Sequence, residues 1–341
     1  MGILRIGIIG ATTLKGKEIK DAVEDSPLAA SEIVLLDDSS EAGKLQSIAD
    51  EATFIQAVTK QSLQDLALAF FAGEARVARD TLPFAQAANC MLIDVSSALE
   101  GEPGFAVRSV WLEQDDAQRK DLEVKGAVIA HPVAISLALI LRHLGAKFDV
   151  RTAAATVLHP VSETGHAGMD ELHRQTVNLL NFQPLPREVF ETQIAFNLVP
   201  DYGDGKATTT ARVAKQIDSH LSAIAPEVFR PSLMVVAAPV FHAHTMSMYV
   251  EFESAVEVTD VEEALHAPHL SVIGCDAAAD EQPNNINSAG EERVLISVRG
   301  DQQRKNAVWL WVAADNLKIA AVNAVDLARE LLKLRPSGKV Q

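Results

Sequence analysis

Five short runs in the first 130 residues are almost wholly apolar: Leu4–Ile9, Glu32–Leu36, Leu66–Phe71, Cys90–Asp94 and Val128–Ala130. A strand with one face in water alternates polar and apolar residues, whereas a strand covered on both faces does not. Segments long enough for a helix separate these runs, and such crossovers join parallel strands. Lys15–Glu24 and Glu74–Asn89 have the length of two of those helices. Residues 1–130 are therefore expected to form a Rossmann-like parallel sheet, with Val128–Ala130 as its last strand.

The remainder reads differently. Ala153–Leu158, Ser232–His242, Met246–Glu253, Val294–Val298 and Ala307–Ala313 are expected strands, and MSMYVEFE alternates as a half-covered strand does. Gly168–Phe182 reads as a helix with Met169, Leu172, Val177, Leu179 and Leu180 on its apolar side. The pattern predicts a second, mostly antiparallel α+β domain over 131–314. A last helix, 315–335, is expected to return and complete the first domain. Gln183–Ala207 and Ala277–Glu292 are expected loops.

At 341 residues the chain exceeds what one hydrophobic core usually organises, which supports two domains. Its 46 acidic residues against 30 basic ones give a net charge of −16, which opposes a nucleic-acid partner. No apolar run reaches the roughly 20 residues that span a bilayer, and MGILRIGIIG lacks the layout of a signal peptide. No membrane partner and a cytoplasmic location are expected. Cys90 and Cys275 are the only cysteines, and they make neither a disulfide framework nor a zinc motif.

GIIGATTLKG places Gly7, Gly10 and Gly16 around a strand-to-helix turn. Such a turn directs amide groups and a helix N-terminus at a pyrophosphate. The alternative is a tight turn that binds nothing, and Thr13 stands where close cofactor approach favours glycine. Asp37, 21 residues after Gly16, is placed to hold a ribose 2′-hydroxyl or else is a solvated acid. Its charge favours NAD over NADP. Ala11, Thr12, Thr13, Gly73 and Asn316 complete the candidate cofactor-binding residues.

Four separated segments together resemble the aspartate-semialdehyde dehydrogenase family: GIIGATTLKGKEI, LIDVSSALE, VSETGHAGMDEL, and APVFHAHTMSMYVEF with DNLKIAAVNAVDLARELL. VSETGHAGMDELHRQTVNLLNF is most similar to the Usg-like branch. The resemblance implies a homodimer and a nicotinamide cofactor. It also implies a cysteine nucleophile, a proton-shuttling histidine, and basic groups that grip the substrate's anions. It places Ala134, in Pro132-Val133-Ala134-Ile135, where the family has its cysteine. His159 stands for a glutamine, Ala237 for an arginine, and Glu100 for a phosphate-gripping arginine. The family's E-T-R-K-I helix has Val213–Ile217 as its nearest segment. His244 is retained, either as an acid/base or as a packed histidine.

Only a thiolate combines strong nucleophilicity with the leaving tendency that acyl transfer needs, so alanine removes the covalent route. Neither Cys90, at an apolar strand, nor Cys275 replaces it. His242 and His244 would share one face of a strand, but no third ligand at a telling spacing appears, and no metal is expected. Two functions follow. One is a family member without phosphorylating dehydrogenase activity, which binds NAD, another nucleotide or a small anionic metabolite in a regulatory role. The other is an active NAD(P)-dependent semialdehyde oxidoreductase with altered substrate and mechanism.

Overall fold

The computed structural model describes residues 4–48, 51–113, 126–202 and 210–334. They divide into two compact units, one formed by Met1–Ala130 with Ala320–Gln341 and the other by His131–Ile319. The first unit holds a seven-stranded sheet of β1 (Arg5–Ile9), β2 (Glu32–Asp37), β5 (Gln56–Ala57), β6 (Leu68–Phe71), β7 (Met91–Asp94), β8 (Phe105–Arg108) and β9 (Gly126–Ile129). Its order is β5-β2-β1-β6-β7-β9-β8, and every pairing is parallel. Ile6, Ile8, Ile9, Leu36, Leu68, Phe70, Phe71 and Ile93 are completely buried, as strands without polar alternation require.

The strand at 126–129 is the last of this sheet along the chain, as expected, but the sheet has two strands beyond the expected ones: Gln56–Ala57 and Phe105–Arg108, which form its edges. FAVR is short and only partly buried, so it lacks the apolar signature of the inner strands. A separate antiparallel hairpin, β3 (Leu45–Ile48) with β4 (Glu51–Phe54), stands apart from the main sheet.

The second unit holds a mixed six-stranded sheet of β10 (Val150–His159), β11 (Ser232–Ala237), β12 (His244–Phe252), β13 (Leu270–Val272), β14 (Val294–Gly300) and β15 (Ala307–Ala314). In the order β11-β10-β12-β15-β14-β13, the three inner pairings are antiparallel and the two edge pairings parallel. In β12, Met246, Met248, Val250 and Phe252 are buried while Ser247, Tyr249 and Glu251 are partly exposed, the expected period of two. The expected strand Ser232–His242 stops at Ala237, since Pro239 cannot donate to a ladder and Ala243 adopts a left-handed φ of 67°. His242 therefore lies in a turn and does not share a strand face with His244.

The helix Pro132–Lys147 is apolar nearly all round and is buried from Pro132 to Leu141, as such a helix must be. The helices Thr210–Ile224 and Val258–Ala264 are additions to the expected elements. The helix Gly165–Leu180 buries Gly168, Glu171, Leu172 and Gln175; of the apolar side expected for it, Leu172 is buried and Met169 and Leu179 pack half-buried against the core. Val177 and Leu180 on that side are 40% and 70% exposed. The reason is a polar clamp. Glu171 accepts from the Val189 and Phe190 amides at 2.6 and 3.2 Å, and Gln175 accepts from those of Ile194 and Ala195 at 2.8 and 3.1 Å. These side chains hold a segment with no helix or strand among residues 183–198, whose buried amides would otherwise lack partners. The rest of the expected loop, 203–207, lies outside the described residues.

Candidate functional site

The glycine turn belongs to the first unit. Gly10 has a left-handed φ of 82°, and a Cβ there would lie 2.6 Å from the Gly73 nitrogen. A Cβ on Gly16 would lie 2.1 Å from the Gly10 carbonyl oxygen, so only glycine lets the helix start so close to the strand end. Thr13 is the N-cap of the helix Leu14–Glu24: its hydroxyl accepts from the Gly16 amide at 2.9 Å and donates to the Gly10 carbonyl at 2.8 Å. Capping explains a threonine at a position where cofactor approach alone would favour glycine.

Asp37 supports this turn from behind. One carboxylate oxygen accepts from both the Thr12 amide and the Thr12 hydroxyl at 2.8 Å, and the other accepts from the Asp38 amide at 2.9 Å. The amides of Gly10 and Ala11 donate to Leu36, and that of Thr13 to Gly10. What the turn offers an anion is thus mainly the positive end of the following helix. Beside Asp37, Asp38 pairs with Arg76 at 2.5 Å. The Ser40 amide and the Arg76 guanidinium hold the Asp38 carboxyl down at about 2.

A second group of side chains gathers in the other unit. His131 caps the helix Pro132–Lys147 through Nδ1, 3.2 Å from the Val133 amide. His159 ends β10, His244 begins β12, and Glu163 lies in the single turn Val161–Thr164 between β10 and the next helix. His159 Nδ1 and His244 Nε2 are 3.1 Å apart, and Glu163 Oε1 is 3.9 Å from His244 Nε2. The His131 ring centroid is 5.4 Å from that of His244 and 6.5 Å from that of His159. The backbone fixes this meeting: the Val161 and Ser162 amides donate to Val240 and Phe241, which ties the Glu163 turn to the chain entering His244.

Asn316 completes the support. It accepts from the Ala243 amide at 3.0 Å and donates to Ser162 Oγ and Glu163 Oε1 at 3.1 and 3.0 Å. His220, on the helix Thr210–Ile224, accepts the His131 amide at 2.8 Å through Nδ1. Burial drives the His131 pKa well below the usual histidine range, against an opposing pull from Glu163, so this ring is neutral at neutral pH. Burial first, and the Glu163 charge second, push the Tyr202 hydroxyl up to about 12.

Ala134 is the third residue of the helix that His131 caps, and it has no exposed surface. A helix N-terminus stabilises a thiolate, yet a methyl group occupies this one. Ala237 pairs in register with His159, so the loss expected there lies directly beside the histidine group. Glu100 is an exposed residue in the first unit. Cys90 is buried and Cys275 exposed. No sequence motif singles out His131 or His220. Val213, Ile217, His220 and Leu221, buried at helical spacing, were the available signal for His220.

A parallel sheet with a glycine turn, followed by a mixed sheet carrying buried acid/base side chains, defines a dinucleotide-binding dehydrogenase architecture. Residues 5–179 match the NAD-binding domain of semialdehyde dehydrogenase, and residues 141–319 match the dimerisation domain of the same enzyme. The chain belongs to the aspartate-semialdehyde dehydrogenase family, in its Usg-like branch. It is 30% identical over 332 residues to the aspartate-semialdehyde dehydrogenase of Rickettsia bellii, covering 96% of this chain and 97% of that one. It is 32% identical over 336 residues to the USG-1 protein homolog of Azotobacter vinelandii, with the same coverages. The solved structure of a probable aspartate-semialdehyde dehydrogenase from Pseudomonas aeruginosa superposes with a TM-score of 0.87 at 27% identity, over 98% of this chain and 99% of that one. Among the described residues, no helix is long and apolar enough to cross a membrane.

Proposed function

We propose that this chain does not carry out the phosphorylating semialdehyde oxidation of its family and acts instead as a nicotinamide-dinucleotide-binding or regulatory member. Ala134 carries this reading. The buried start of its helix suits a nucleophile, and a methyl group can form neither a thiohemiacetal nor a thioester. Ala237 beside His159 and an acid at Glu100 support it, because anionic substrate groups would meet no cation at either position. Gly10, Ala11, Thr12, Thr13 and Gly16 would face the cofactor, with Asp37 and Gly73 holding the turn's shape. Asn316, a further candidate for cofactor contact, is held beside the histidine group by bonds to Ser162, Glu163 and Ala243. The acids at the end of β2 favour NAD over NADP.

A second reading draws on the buried His159–His244 pair. Such a pair can move a proton, which would suit an oxidoreductase that transfers hydride without a covalent intermediate. A homodimer is proposed through the second unit, where Leu180, Phe182, Phe196 and Leu198 are each more than half exposed.

Calorimetric titration with NAD and NADP tests the cofactor reading, and heat from NAD at lower concentration than from NADP is expected. Absence of binding for both at millimolar concentration would end it. In a nucleotide-absorbance assay with aspartate semialdehyde, phosphate and NAD or NADP, neither the wild type nor Ala134→Cys is expected to turn over. Turnover by the wild type sinks the first reading and favours the second. Turnover by Ala134→Cys alone shows that Ala237 and Glu100 are not the lost anion contacts.

A further inference from the structure

The geometry points to a divalent-metal site of the zinc class formed by His131, Glu163 and His244, with water in the fourth position. This goes beyond the proposed function and does not depend on cofactor binding. One ligand atom from each of His131, Glu163 and His244 lies within 4.8 Å of the other two. Two imidazoles and one carboxylate, with a water completing the set, are donors that borderline ions such as zinc prefer.

Tetrahedral ligands at about 2.05 Å from zinc lie roughly 3.3 Å from one another. The three ligand atoms, within 4.8 Å of one another, have to draw together around the ion, the 3.9 Å between His244 and Glu163 by about 0.6 Å. Metal at His244 Nε2 would displace the hydrogen bond to His159. It would also compete with the Val133 amide for His131. If Nδ1 binds the ion, the amide loses its acceptor, and if Nε2 binds, the ring proton moves to Nδ1. That 3.2 Å contact is a long one and the cheapest to give up.

The surroundings supply outer partners. Asn316 donates to Glu163 Oε1 at 3.0 Å and so orients the carboxylate, as outer partners of metal ligands do. The Tyr202 hydroxyl, buried with no hydrogen-bond partner among the described residues, feels the Glu163 charge and could bond to a metal-bound water. Spacing in the sequence hides the set. His131, Glu163 and His244 are 32 and 81 residues apart, on a helix cap, a short turn and a strand start, so no ligand motif spells them out.

The test uses the full chain without a histidine tag, stripped with chelator, reloaded with zinc or cobalt(II) and freed of excess by gel filtration. We expect about one zinc per chain by mass spectrometry, and visible cobalt bands of tetrahedral type. His244→Gln should abolish both, and Glu163→Gln should weaken zinc binding by at least about tenfold. Circular dichroism checks the fold of each variant, and Glu163→Gln decides the matter if His244→Gln does not fold. His166→Asn with His173→Asn, on the exposed face of their helix, should leave binding unchanged. Wild type that retains no zinc overturns the proposal. So does zinc binding that is unaltered by Glu163→Gln, or binding that the His166/His173 variant removes.

Discussion

The glycine turn of the first unit and the histidine group of the second represent two ways of building a site. The turn is made of backbone. Gly10 and Gly16 permit the close approach, and Thr13 and Asp37 fix it with hydrogen bonds to main-chain groups. The histidine group is made of side chains brought from a helix cap, a strand end, a short turn and a strand start. Family resemblance has survived in both, but differently. In the turn the same steric need preserves glycine whether or not a ligand binds. In the histidine group the scaffold is the family's, and Ala134 and Ala237, which we propose stand in the reactive and anion-binding positions, carry only methyl groups. Shape alone is therefore weak evidence of retained chemistry.

The comparison can be broken most sharply at Gly16. Gly16→Val puts side-chain atoms into the Gly10 carbonyl, a backbone group that cannot swing away, and should cost on the order of 4 kcal/mol in urea unfolding. A loss under about 1 kcal/mol would mean that the turn is less rigid than its backbone contacts imply. In the second unit, Glu171→Ala strips the Val189 and Phe190 amides of their acceptor and should cost about 3 kcal/mol. Protease sensitivity should rise first within 183–198, and cleavage elsewhere would show that the clamp is not local.

A smaller effect is expected from pH. The His131 pKa is lower in the folded chain than in the unfolded one, so the unfolded chain binds the extra proton below about 6.5. The contribution of this ring to stability is complete above that pH. It falls as pH drops below about 6.5 toward the folded value. Unfolding midpoints at a series of pH values should show this loss, and His131→Asn, which can still cap the helix, should flatten it. An unchanged slope in that variant would assign the effect to another group.

Much of the first unit was legible because each inner strand carries its own signature. RIGII, LAFF and MLID are apolar except for Arg5 and Asp94 at their ends, and their burial follows directly. Phe105–Arg108 escaped because an edge strand need not be apolar on both faces. In the second unit, the expected apolar side of the helix over 165–180 held at Met169, Leu172 and Leu179 but not at Val177 and Leu180. Glu171 and Gln175 read as solvent-facing residues until the loop that they clamp is known, and nothing local to the helix encodes that loop's path. The expected strand through His242 failed for a nearer reason, since Pro239 was visible in the sequence. Ala134 could be located from its motif. The company that His131 keeps with His159, Glu163 and His244 could not, because tertiary contact sets it.

The helix Asn316–Leu334 begins in one compact unit and contributes residues from Ala320 onward to the other. Asn323 donates to Ser109 Oγ at 3.0 Å, and Asp326 accepts from the Trp111 indole at 3.0 Å. Completion of the first unit therefore waits on a segment translated after every strand of the second. On the ribosome, all seven strands of the parallel sheet emerge first, and the helix that completes their unit follows only after about 190 further residues, at roughly 5–20 residues per second. For that interval the face this helix covers is open to solvent.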